Sequence, residues 1–217
     1  IFNSLLKEKD LSYSEASFLV ESIFNSKISN IQLSSILSLL HKKKESFNEI
    51  YAFTNFLKKK CKKINIKNKF MDTCGTGGDN KGSFNFSTAT SILLSTFDIK
   101  ISKHGNRSVT SKSGSFDVLE SLGVNISSEL SHIKKNLKTN GICFLFAPNF
   151  HGSLKQVVEV RKSLPFKTIF NLLGPLLNPL KLQYQLLGVS NHENLLTHAK
   201  CLSKMNLKKS WVVFGEK

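Results

Sequence analysis

Helical spacing dominates the first part of the chain. In LSYSEASFLVESIF the apolar residues Ala16, Leu19, Val20, Ile23 and Phe24 recur at i, i+3, i+4, i+7 and i+8, and Ser12 with Glu15 makes a capping-box pattern ahead of them. IQLSSILSLLHKK repeats the spacing at Leu33, Ile36, Leu37 and Leu40, and Ser46 with Glu49 opens a third helix through SFNEIYAFTNFLKKK. Past a basic linker near Asn65 the rhythm changes. KFMDTC, DIKIS, ICFLFA, YQLLGVS and SWVVFG are short apolar runs separated by helix-length segments, the pattern of a mostly parallel sheet covered by helices.

The fold class expected is therefore α/β, with a small N-terminal helical domain over residues 1–66 and a larger domain, a mostly parallel sheet flanked by helices, over 67–217. Helices around 168–180 are candidates to join the first domain. The chain begins at Ile1, and SWVVFGEK reads as a strand that has just reached a Gly turn, so a fragment, incomplete at the C-terminus, is expected.

Charge changes this picture only in part. A formal charge of +16 suggests nucleic acid, but the lysines crowd in HKKKESF, LKKKCKKINIKNK and IKKNLK, at helix ends and polar faces where cations stay solvated. A solvated surface is favoured over a functional basic groove. Cys61, Cys74, Cys143 and Cys201 have neither C-x-x-C nor metal spacing, which makes a disulfide-free cytoplasmic protein the default. No apolar run approaches the roughly 18 residues of a membrane span.

Candidate chemistry sits after the first apolar run. In GTGGD, Gly75 to Asp79, glycines let backbone N–H groups approach a ligand, and a helix starting near Asn85 to Ser87 aims its positive end at the same place. The pattern is neither G-x-x-x-x-G-K-[ST] nor G-x-G-x-x-G, so it reads as a phosphate-friendly turn or simply a turn. NFST, Asn85 to Thr88, offers an amide and two hydroxyls for phosphate or hydrated Mg2+, or else a helix N-cap. KHGNRSVTSKSGS, Lys103 to Ser115, reads as a loop with nothing large and apolar to bury and much to bind, or as a solvated surface loop. Arg161 stands on a helix after FAPNFH, where a lone Arg usually faces solvent.

GTGGDNKGSFNFSTA, KHGNRSVTSKSGSFDVLESLG and VRKSLPFKTIFNLLGPLLNP resemble, in order and spacing, the motifs of the anthranilate phosphoribosyltransferase family, and DLSYSEA and QLSSILSLL resemble its small helical domain. The resemblance implies a phosphorylase/phosphoribosyltransferase-like fold and transfer of phosphoribosyl from phosphoribosyl pyrophosphate to anthranilate, a step of tryptophan biosynthesis. It implies that Gly75, Gly78, Asp79, Ser83, Asn85, Phe86, Ser87 and Thr88 hold phosphoribosyl pyrophosphate, with Ser87 the Mg2+ ligand. Lys103, His104, Gly105, Asn106, Arg107, Ser108, Val109, Thr110, Ser111 and Ser115 would supply its other contacts. Gly75, Asn106 and Arg161 would contact anthranilate, with His104 close by. No acid or base is implied; Lys103 and Mg2+ would stabilise the leaving group. A second Mg2+, held from beyond Lys217, and a homodimer through the helical domain are also implied.

The pattern departs from the family's usual residues at Asn80, Phe116, Gly152, Glu159 and Pro165, which puts anthranilate affinity in question more than phosphate binding. Two other readings remain: a non-catalytic nucleic-acid binder of this fold, disfavoured by the intact Lys103, His104, Asn106 and Arg161 set, and a nucleoside phosphorylase.

Overall fold

The amphipathic stretches fold as their spacing predicts. In the computed structural model, which describes residues 1–78, 84–108 and 114–215, α1 (Phe2–Leu6), α2 (Tyr13–Phe24), α3 (Asn30–Lys43) and α4 (Phe47–Lys60) come first. Then follow β1 (Phe70–Asp72), α5 (Phe86–Ser95), β2 (Lys100–Gly105), α6 (Ser115–Ser121), α7 (Leu130–Asn140), β3 (Ile142–Phe146) and α8 (Ala147–Phe150). A 3₁₀ turn, Gly152–Val157, leads into α9 (Val158–Ser163) and α10 (Ile169–Leu173). The chain closes on β4 (Leu182–Gly188), α11 (Asn194–Ser203) and β5 (Lys209–Val213).

These elements form two compact units: Ile1–Cys61 with His151–Leu173, and Lys62–Phe150 with Gly174–Lys217. The segment that returns to the helices is thus 151–173, earlier than the 168–180 considered from sequence. Its place follows from aromatic packing. Phe170 of α10 sits edge-on to Phe24 of α2, centroids 6.2 Å apart, and 5.8 Å from Phe53 of α4.

In the helical unit the apolar stripes of α2 and α3 are buried as the spacing requires. Ser12 and Glu15 close a full capping box, and so do Ser29 and Gln32, a pair not read from the sequence. At α4 the reverse half forms, Ser46 N donating to Glu49 Oε2 at 2.8 Å. Glu49 is fully buried because its carboxylate is shared: Oε1 accepts from Leu11 N at 3.0 Å, and Lys43 Nζ, itself buried, bridges Glu49 and Asp10 at 2.8 Å each.

In the other unit the described residues form a five-stranded parallel sheet of order β3-β2-β1-β4-β5. Residues Phe70, Ile101, Cys143, Leu145 and Leu187 supply its fully buried apolar side chains. The chain leaves central β1 toward β2 and β3, then returns to the other side of β1 as β4. In open sheets of this kind the crevice for ligands lies at the carboxyl ends of the strands where that reversal occurs, here β1 and β4.

Candidate active site

The loops after β1 and β4 meet at that reversal point. Thr76 N donates to Gly188 O at 2.9 Å, and Ser190 N donates to Thr76 Oγ1 at 3.0 Å. A Cβ on Gly75 would come within 2.7 Å of Gly188 O, so Gly75 is required by the meeting of two backbones. Gly77 and Gly78 both have φ of +67°, the left-handed region where glycine alone is unstrained. The glycine turn is therefore a shaped backbone element at the sheet's ligand end.

Beside it begins α5. Asn85 is its N-cap by position, yet the side chain makes no capping hydrogen bond, so the simple N-cap reading of NFST does not hold. The helix dipole favours an anion at the amino end of α5. Thr73 and Ser91 fix this turn from below: both hydroxyls donate to Ser87 O, at 2.6 and 2.9 Å. Thr88 is buried, and its Oγ1 has no hydrogen-bond partner among the described residues. Ser87 is half-buried, while Phe86 is exposed.

Lys103, His104 and Gly105 are not in a loop, as the sequence suggested, but at the end of β2, in register with Phe144, Leu145 and Phe146 of β3. Parallel pairing on both edges buries this strand, and Lys103 and His104 are each 1% exposed. Lys103 Nζ donates to His104 O at 3.2 Å. His104 Nδ1 lies 3.1 Å from Gly174 O, a pure acceptor, so Nδ1 carries a proton.

Asp72, the last residue of β1, is fully buried between these parts. Its Oδ1 accepts from Cys74 N at 3.0 Å and His104 N at 3.3 Å, and its Oδ2 from Asn178 Nδ2 at 2.8 Å. Burial pushes the Asp72 carboxyl up from its usual range, opposed first by the nearby Lys103 ammonium. Burial likewise pushes the Cys74 thiol up to about 12. Asp72, Cys74 and His104 cluster closely enough to suggest a metal trio. The carboxylate is already committed to three N–H donors and a buried lysine supplies the local cation, so the cluster reads as a hydrogen-bonded hub.

The Lys-His segment continues into a pinned loop. Asp117 Oδ2 accepts from Ser108 N at 2.8 Å and Gly114 N at 2.7 Å, closing the base of the loop, and these bonds hold its carboxyl below the usual range. Asn106 is exposed, its Oδ1 accepting from Arg107 N at 2.8 Å. The Arg107 guanidinium pairs bidentately with Glu120 at 3.0 and 2.6 Å and lies 4.7 Å over the Phe146 ring. Its fork is thus engaged with protein, leaving the backbone as its offering to a ligand. Ser115 opens α6. Phe116 is fully buried, 5.1 Å from the Phe146 ring and against Gly105, so it fills the core of this unit.

Asp79, Asn80, Ser83, Val109, Thr110 and Ser111 lie outside the described residues. Arg161 belongs to the helical unit, on α9. It is not an outward-facing arginine: it is half-buried, stacks 5.5 Å over the Phe170 ring, and its Nε has no partner among the described residues. Burial pulls its pKa down, yet a guanidinium stays charged, leaving a desolvated cation suited to an anion. Gly152, Glu159 and Pro165 do not belong to the buried core.

A separate open cleft of about 710 Å³, lined by Ile64, Lys67, Lys69, Lys181 and Gln183 among others, lies at the amino ends of β1 and β4. That is the end opposite the ligand crevice of a parallel sheet.

Sequence reasoning missed Asp72, Thr73, Asn178 and Asp117. The available signals were an acid inside the apolar run KFMDTC and Asn178 inside LLNPL.

The chain belongs to the glycosyl transferase family: the family's a/b domain matches residues 67–217, and its helical bundle domain matches residues 1–61. It is similar to the anthranilate phosphoribosyltransferase of Petrotoga mobilis, 45% identical over 212 residues, which are 97% of this chain and 62% of the relative. It is also similar to that of Caldicellulosiruptor saccharolyticus, 46% identical over 187 residues, 86% of this chain and 56% of the relative. The chain therefore spans less than two thirds of the length of these relatives. Among solved structures, the anthranilate phosphoribosyltransferase of Thermus thermophilus superposes with a TM-score of 0.89 at 31% identity, covering 99% of this chain and 65% of that one. The Saccharomyces cerevisiae enzyme in complex with phosphoribosyl pyrophosphate and Mg superposes at 0.86 with 28% identity, covering 99% and 64%.

Proposed function

We propose that the chain carries the phosphoribosyl pyrophosphate cradle of an anthranilate phosphoribosyltransferase, acting in tryptophan biosynthesis. The observation that carries this reading is the meeting, at one end of the sheet, of the left-handed Gly77–Gly78 turn, the N-terminus of α5 and the buried Lys103 strand end. In this reading Gly75, Gly78, Asn85, Phe86, Ser87, Thr88 and the backbone from Gly105 to Ser108 hold the pyrophosphate and ribose, with Ser115. Asp79, Ser83 and Val109 to Ser111, outside the described residues, complete the set. Asn106, Gly75 and Arg161 take anthranilate.

Mg2+ prefers hard oxygen donors and keeps several waters. The residues present fit that chemistry: Thr88 Oγ1 is a buried oxygen without a described partner, and Ser87 stands beside it on a turn fixed by Thr73 and Ser91. Ser87 would be the protein ligand, and a second ion would draw on residues past Lys217. Bound there, Mg2+ would neutralise charge on the departing pyrophosphate.

The chain's own residues account for the rest. As the bond from ribose C1 to the pyrophosphate oxygen breaks, Lys103 and the positive end of α5 stabilise the growing negative charge. The neutral arylamine nitrogen forms the new bond to C1 and loses its proton to water or pyrophosphate, so positioning suffices and no strong base is needed. Arg161 pairs with the anthranilate carboxylate, a charge-assisted bond strengthened by its desolvation.

The buried thiols of Cys74, Cys143 and Cys201 suit the cytoplasm. A homodimer through the helical unit is supported by its exposed apolar residues Phe2, Leu6, Phe18 and Ile31. Calorimetric titration of phosphoribosyl pyrophosphate with Mg2+ into the chain should show binding, and added anthranilate should lose its fluorescence. Folded protein that binds no phosphoribosyl pyrophosphate would overturn the reading.

A further inference from the structure

We propose that Asp72 is a positioning residue for the phosphoribosyl pyrophosphate site: its buried carboxylate ties the glycine turn to the Lys-His strand end. This rests on the site reading above. One oxygen, Oδ1, receives the N–H of Cys74, which enters the glycine turn, and the N–H of His104, which ends the Lys-His pair. The other, Oδ2, receives Asn178 Nδ2 at 2.8 Å. Asn178 is held in turn, its Nδ2 also donating to Ser102 O at 2.8 Å, and its Oδ1 accepting from Leu180 N at 2.9 Å and Ser102 Oγ at 3.1 Å. Asp72 touches no ligand in this arrangement. It sets the spacing between two backbones that do, and a carboxylate is used because both of its oxygens accept, whereas an amide would turn a donor toward Asn178 Nδ2.

The distinction makes Asp72→Asn informative. Asn Oδ1 still accepts from Cys74 and His104, whereas the new Nδ2 meets the Asn178 Nδ2 donor and the charge is gone. The protein should keep its helical circular dichroism. Its calorimetric affinity for Mg2+ with phosphoribosyl pyrophosphate should fall about 10- to 100-fold, the range for loss of a charged hydrogen bond. Backbone amide resonances of Cys74 to Gly78 and His104 to Asn106 should move, with those of α2 and α3 unchanged. Asp72→Asn/Asn178→Asp returns one negative charge to the same pair of positions and should recover most of the lost affinity. Asp72→Asn affinity within twofold of wild type would overturn the proposal, as would a folded charge-swap variant that recovers none. If wild-type protein binds no phosphoribosyl pyrophosphate, the site reading fails instead. The amide resonances then decide for Asp72 by themselves: movement in both segments supports the tie, and movement in neither removes it.

Discussion

Gly75→Ala asks whether the glycine turn is shaped by ligand or by protein. The added methyl carbon would sit 2.7 Å from Gly188 O and 3.4 Å from Gly188 C. Ordinary contact begins near 3.4 Å, so the two backbones must part by about 0.7 Å along that line. Gly188 O is also the acceptor for Thr76 N at 2.9 Å, and Ser190 N reaches back to Thr76 Oγ1 at 3.0 Å, so the separation lengthens both bonds. Overpacking of this kind costs about 1–3 kcal/mol, a fall in melting temperature of roughly 2–12 °C for a chain of this size. Because the same parting moves the glycine turn, affinity for phosphoribosyl pyrophosphate should fall as well. Gly77→Ala is the control: among the described residues nothing lies within 4 Å of its Cβ, and the left-handed φ of +67° resists it, at about 1–2 kcal/mol. Urea unfolding and calorimetry of the two variants separate the causes. Gly75→Ala with wild-type unfolding midpoint and wild-type affinity would refute the reasoning.

Arg161→Lys should raise the KM for anthranilate about tenfold or more while leaving phosphoribosyl pyrophosphate affinity unchanged, since an ammonium cannot reproduce the planar fork; steady-state kinetics reads both. Lys43→Met leaves the buried Glu49 carboxylate without its cation and should cost about 3 kcal/mol in urea unfolding. Glu45 is half-buried, and desolvation pushes its carboxyl up to about 7. A raised folded pKa means its contribution to stability is fully present below the unfolded value near 4.5 and is lost as pH rises through about 7. Melting temperatures measured across that window should therefore fall less with pH in Glu45→Gln than in wild type.

Periodicity made the helices and strands legible. The stripe from Ala16 to Phe24 and the run ICFLFA each became the expected element because local spacing and burial agree there. The Lys103–Ser115 segment reads as a loop from its start because polar residues are usually exposed. Lys103 and His104 are polar and buried, since Phe144 and Leu145 pair beside them and Asp72 accepts the N–H of His104. Arg107 reads as a ligand contact in a motif and Phe116 as a departure from one; in the fold the Arg107 guanidinium pairs with Glu120, and Phe116 packs against Phe146.

By itself the sequence determined the helical and α/β alternation, the glycine turn and the roster of phosphate-friendly residues, because each depends on neighbours a few positions apart. Only the tertiary structure decided which strand lies beside which, that Gly75 yields to Gly188, and that Asp72 joins Cys74, His104 and Asn178. Those contacts span up to 114 positions of chain, as between Thr76 and Ser190, and no local pattern encodes a partner that distant.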